Sequence, residues 1–110
     1  MECVGKVKEI KKGKIPYTNI VTVECDGKSV EMLLHEDLIT FAQGDKVKFV
    51  ISEETPEYQF GRDFCGRGTL VRDDGEKKLF SIGGFVVVVN NCEEKFDDKK
   101  KYYICLIKEE

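Results

Sequence analysis

Cys65 lies in the stretch FGRDFCGRG, with Arg62, Asp63 and Arg67 close by in sequence. An exposed thiol among such charges has a lowered pKa and acts as a nucleophile. Neighbours on a strand point alternately to opposite faces, however, so these charges do not converge on one sulfur and a structural cysteine is the favoured reading. The stretch also holds Gly61, Gly66 and Gly68 with two arginines among them, an arrangement able to approach an anion or an RNA backbone. Its spacing matches neither a P-loop nor a dinucleotide fingerprint, and glycines within a strand more often mark a bend. The one histidine, His35, precedes Glu36 and Asp37 and reads as a surface or capping residue. Catalysis needs a nucleophile with a base, or paired carboxylates in a cleft. No catalytic residue, metal site, cofactor or small-molecule substrate is expected. The five cysteines, Cys3, Cys25, Cys65, Cys92 and Cys105, form no CxxC or CxH pair, and reduced, mostly buried thiols are the expectation.

Binding of single-stranded nucleic acid calls for aromatic rings beside a basic groove. Lys11, Lys12 and Lys14 cluster next to Tyr17 and make the best such site in the chain; Tyr58, Phe60, Phe64, Tyr102 and Tyr103 are the other rings to consider. The net charge of −3 and the acidic stretch SEETPEY stand against it, because tight phosphate binding normally needs a basic surface. Any contact with nucleic acid is therefore expected to be weak or indirect, and solvated loop lysines are favoured.

These residues need elements to hold them. With 110 residues the chain makes one domain, residues 1–110, with a core of its own. Its longest apolar run, Phe85 to Val89, is far shorter than the roughly 20 residues of a membrane helix, and Met1-Glu2-Cys3 does not open a signal peptide. A cytoplasmic protein without membrane contact is the expectation. Twelve valines and eight isoleucines against a single alanine indicate a β protein.

The alternation predicts strands over Cys3 to Ile10, Ile20 to Cys25 and, after the hairpin signal Asp26-Gly27, over a return strand with Val30, Met32 and Leu34 inward. One or two helical turns are predicted between His35 and Gly44, followed by a strand carrying Val47, Phe49 and Ile51. Three further strands are predicted at Phe64 to Arg72, Lys78 to Val89 and Lys101 to Lys108. The first four strands, with a short helix between the third and fourth, follow the order of an OB-type barrel. The expected fold is all-β: a single antiparallel OB-like barrel with additional strands.

One run does not fit a simple barrel. If Val86 and Val88 point into the interior, then Phe85, Val87 and Val89 face out. The last strand likewise carries apolar groups on both faces, Tyr102, Ile104 and Leu106 alternating with Tyr103, Cys105 and Ile107. An uncovered strand of this kind aggregates, so a loop of this chain or another subunit must cover it.

With these residues in view, the chain resembles the G-subunit family of archaeal DNA-directed RNA polymerases, counterpart of the eighth common small subunit of the eukaryotic enzymes. FSIGGFVVVV looks like that family's Ser-aromatic-Gly-Gly strand, here with Ile82 in place of the aromatic. The closing YYICLIK, PEYQFGRDFCGRGTLV and TVECDGKSVEMLLHEDLITFAQGDKVKF extend the similarity over most of the chain. The resemblance implies a noncatalytic barrel docked on the largest polymerase subunit, remote from the catalytic metal, with the glycine strand near the docking surface. Gly83, Gly84, Phe85 and Val87 are then the expected partner-facing residues, and Val86 and Val88 the barrel residues. A free-standing OB-type binder of single-stranded RNA or DNA is the rival reading.

Overall fold

The computed structural model describes residues 1–109. Eight strands form one antiparallel sheet that closes on itself: β1 (Glu2–Lys12), β2 (Thr18–Cys25), β3 (Lys28–His35), β4 (Lys46–Ser52), β5 (Phe64–Asp73), β6 (Lys78–Ile82), β7 (Phe85–Asn90) and β8 (Tyr102–Lys108). Around the barrel the order is β1-β2-β3-β7-β6-β5-β8-β4, with β4 paired back to β1. The β1-β2-β3 meander and the closure of β4 onto β1 are the expected OB-like order, and the later strands widen the circuit between β3 and β4. Closure removes the free sheet edges that would recruit other chains.

Alternation fills the interior. Val21 and Val23 on β2, Val30, Met32 and Leu34 on β3, Val47, Phe49 and Ile51 on β4, Phe80 on β6 and Ile104 and Leu106 on β8 are buried in a single core. β1 alternates poorly because its register against β2 shifts between Val7 and Glu9. A β-bulge there changes which side chains face inward. At one barrel end Phe80, Phe96 and Tyr102 meet edge to face, with centroids 5.2 to 6.4 Å apart. The Asp97 backbone N–H donates to Tyr102 Oη at 2.7 Å, which fastens the polar connection between β7 and β8 over that end.

Four expectations are corrected. The helix is a single 3-10 turn, Glu36–Leu38, whose start is capped by His35 Nδ1 accepting from the Asp37 N–H at 3.1 Å. Lys78 to Val89 is not one strand but the hairpin β6–β7, because Gly83 and Gly84 both have positive φ (55° and 94°) and reverse the chain. Within β7, Val87 and Val89 are the buried valines, whereas Val86 and Val88 face outward. The inward and outward assignments of Val86, Val87 and Val88 are thus exchanged. Finally, Cys3 is joined to Cys25 and Cys65 to Cys105, leaving Cys92 as the free, buried thiol. Antiparallel pairing sets Cys65 directly opposite Cys105 on β5 and β8, a proximity that sequence spacing does not show.

The glycines of β5 do mark a corner. Up to Gly68 the strand pairs with β8, and from Thr69 onward it pairs with β6. A Cβ on Gly68 would collide with the Ser81 carbonyl, and one on Gly66 with the Ile82 side chain.

The outer face of β8 is covered by this chain itself. Val50, Cys105 and Ile107 form a second buried cluster outside the barrel, with Cys65 and Tyr103 packed against it. Asp63 fastens the segment between β4 and β5 alongside. Its fully buried carboxylate accepts from the Lys108 N–H at 2.9 Å, from the Gln59 N–H at 2.7 Å and from the Arg62 guanidinium at 3.1 Å. Burial alone would raise its pKa; the hydrogen bonds from Arg62, Gln59 and Lys108 outweigh that and hold it below the usual 3.8. A depressed folded-state pKa contributes stability that is present above the unfolded value and lost as pH falls through the folded one. Asp63→Asn is therefore expected to cost about 1–3 kcal/mol at neutral pH. In urea titrations the gap between wild type and variant should close as the pH drops below 3.8. A gap that persists unchanged in acid would refute the role of the charge.

Candidate docking surface

Strand directions gather most of the sequence-predicted site residues at one barrel end. β1 ends there at Lys12, β2 begins at Thr18, β3 ends at His35, β6 ends at Ile82 and β7 begins at Phe85. The Gly83-Gly84 turn, the Lys14–Tyr17 loop, the 3-10 turn and the start of β5 therefore share that end. Gly13 N–H donates to the Thr18 carbonyl at 2.9 Å and closes the loop. Tyr17 has φ 63° and is 70% exposed. Its ring lies 6.5 Å from that of His35, nearly parallel to it.

Below this loop, on the outer wall of β2, β3 and β7, lies an apolar groove of about 320 Å³ lined by Lys14, Ile15, Ile20, Leu33, Val86 and Val88, with Glu31 at its border. The register explains it. Val88 pairs with Glu31 and Val86 with Ser81, so both valines stand on the outer pleat beside Leu33 and Ile20. Ile15, 56% exposed, overhangs them from the loop. Ile15, Ile20 and Leu33 are functional candidates that the sequence did not single out. A signal exists at Ile20 and Leu33, which are apolar at positions one out of phase with the inward Val21, Val23, Met32 and Leu34.

The predicted residues divide between three places. Gly83 and Gly84 are exposed at the hairpin tip, Phe85 is half-buried at the barrel end, and Val87 is fully enclosed. Lys14 joins the groove, whereas Lys11 and Lys12 point to solvent from the end of β1, Lys11 being 4.0 Å from Glu9. Of the rings considered for base stacking, Phe64 and Tyr102 are buried in the core and Tyr103 is held under Arg67, 5.5 Å from its centroid. Only Tyr17, Tyr58 and Phe60 of that set are exposed enough to stack. A cleft of about 550 Å³ by Gly5, Cys25 and Asn91, with Lys6, Glu24, Asp26 and Lys28 also in its lining, lies toward the other barrel end. Cys65 is bonded to Cys105 and is no nucleophile. What remains is an outward-facing apolar groove with Lys14 and Glu31 among its lining side chains.

The model of the RpbG family, which describes the G subunit of DNA-directed RNA polymerase, matches residues 1–109. This chain belongs to the RpbG family. Two relatives are named "DNA-directed RNA polymerase subunit Rpo8". The one from Saccharolobus solfataricus is 28% identical over 100 residues, covering 83% of this chain and 75% of the relative. That from Sulfolobus acidocaldarius is 34% identical over 71 residues, covering 64% and 58%. The chain is thus a small polymerase subunit, not a catalytic one, with a role in transcription. Among its described residues no helix is long and apolar enough to cross a membrane.

The glycine pair acquires a physical role here. An added Cβ would meet nothing within 4 Å at either glycine, so close packing inside the chain is not the reason for them. Positive φ is. The φ of 55° at Gly83 suits asparagine, while the 94° at Gly84 suits glycine alone. Gly83→Asn should leave stability within about 0.5 kcal/mol of wild type, and Gly84→Ala should cost about 1–3 kcal/mol. Urea unfolding of both variants checks this, and equal losses would contradict the turn geometry.

Proposed function

We propose that this chain is a noncatalytic subunit that docks on the largest polymerase subunit through the β2–β3–β7 groove and the Gly83-Gly84 tip, and so supports assembly or stability of the enzyme. The observation that carries the reading is the groove: Ile15, Ile20, Leu33, Val86 and Val88 lie on the outer wall of a barrel whose interior is already full. Burying a large aliphatic side chain is worth roughly 1.5–3 kcal/mol, and contiguous exposed apolar surface on a small protein marks an interaction site. Partner-facing residues in β7 are then Val86 and Val88, with Val87 contributing from inside as packing support for the strand. Gly83 and Gly84 let a partner approach the hairpin tip without side chains between the two backbones.

The rival, a free-standing binder of single strands, would rest on Lys11, Lys12, Lys14 and Tyr17. These four make up one ring and three charges at the end of β1 and in the loop after it, and the chain as a whole is acidic. A nucleic-acid binder needs a longer basic track.

The experiment is co-purification of the tagged chain with the polymerase from native extract. Val88→Asp, at an outward position, is expected to keep the barrel folded by circular dichroism and to abolish recovery of the large subunits. Replacing Lys11, Lys12 and Lys14 together by glutamate is expected to reduce recovery no more than several-fold. Loss of recovery with the lysine variant alone, together with oligonucleotide binding that falls steeply with salt, would establish the rival reading instead.

A further inference from the structure

The most exposed large apolar side chain of the molecule lies outside the groove. Phe60 is 94% exposed, and Leu38 and Tyr58 beside it are 45% and 43% exposed. A second groove, about 360 Å³, runs between Asp37, Leu38, Thr40, Tyr58, Phe60 and Phe64. An exposed phenylalanine on a floppy loop would mean little, but this one is held. The Arg62 and Asp63 N–H groups both donate to the Gln59 carbonyl, at 3.1 and 2.9 Å. Phe60 and Gly61 are the central residues of the resulting turn, and the Gly61 φ of 85° suits the third position of a type II turn. Asp63 ties the turn to the end of β8, and the Thr40 hydroxyl, donating to the Arg62 carbonyl, ties it to the segment after the 3-10 turn. The entropy of ordering this aromatic is thus lost on folding, not on binding, which is the property of an interface anchor.

Charge narrows what such an anchor meets. The Arg62 guanidinium is engaged by Asp63, and Glu57 precedes Phe60 by three residues. Asp37 lines the groove from the other side, with Glu36 next to it. Phosphates of nucleic acid or of an anionic membrane are repelled by such a rim, and so is a second copy of the same surface. An apolar pocket bordered by cationic side chains is attracted.

We propose that Phe60 is the aromatic anchor of a second docking point, seated in an apolar pocket bordered by lysine or arginine on a protein chain of the polymerase. The proposal rests on the subunit reading above but not on the β2–β3–β7 groove. Its test places the photo-crosslinker p-benzoylphenylalanine at position 60 or, separately, at position 88, in the full chain assembled into polymerase. Cross-linking from position 60 to a polymerase chain, mapped to a peptide containing lysine or arginine, is the expected result. Cross-linking to nucleic acid, or none from 60 while 88 cross-links, overturns the proposal and leaves the groove reading intact. Silence at both positions overturns both. In parallel, Phe60→Ala should leave the unfolding midpoint unchanged, since its ring is in solvent, yet lower affinity for polymerase stripped of this subunit about tenfold or more. Paired Glu36→Lys and Asp37→Lys changes should weaken binding as well. Undiminished affinity in both variants would sink the idea.

Discussion

The surface of this barrel depends on one two-residue turn. Gly83 and Gly84 reverse the chain with positive φ at both positions, which locks Ile82 opposite Phe85 and, counting back, Phe80 opposite Val87. Phe80 is in the core, so Val87 is as well, and Val86 and Val88 are left on the outer wall. A slip of one residue would exchange the faces of the four valines. It would place Val86 and Val88 in the interior and remove two of the apolar side chains of the groove. The turn therefore determines both how β7 packs and what the outer wall presents.

The same turn marks the limit of what is legible in the sequence. β content, the OB-like sequence of the first four strands, the Asp26-Gly27 hairpin and the bend in β5 are legible, since each rests on local chemistry: branched side chains, positive φ, missing Cβ atoms. The Gly-Gly hairpin is not, because the residues on both sides of it are apolar and merge into one apparent strand. Four consecutive valines then carry no alternation from which to assign a face. The helix between β3 and β4 is held to one turn for a related reason: Leu38 and Ala42 have helical spacing, but Ile39 already has an extended backbone and the turn that His35 caps ends at Leu38. Cysteine pairing is set by cross-strand register, which a spacing in sequence does not reveal.

Covering the second apolar strand took a different route. β8 carries apolar side chains on both faces, yet Cys105 and Ile107 are buried within the single chain. The segment between β4 and β5, fastened by Asp63, lies along this side of the barrel, and no partner is needed to protect β8. β7 has no such cover. Val86, Val88, Leu33 and Ile20 stay partly open beneath Ile15 alone. Of two strands that look equally unsuited to solvent in the sequence, one is satisfied by the fold and the other is left for an outside contact.

Net charge says little about which contact that is. The body measures 31 × 31 × 25 Å, and salt at physiological strength screens exposed charges beyond about 8 Å. A partner therefore senses the side chains of one loop rather than the whole molecule's −3. Lys14 and Glu31 line the β2–β3–β7 groove, while Asp37, with Glu36 next to it, borders the Phe60 turn. His35 and Tyr17, ring against ring, stand between the two. Two apolar patches with differently charged rims, one mixed and one acidic, discriminate between partners better than a single larger patch would, because a surface matched to one is mismatched to the other.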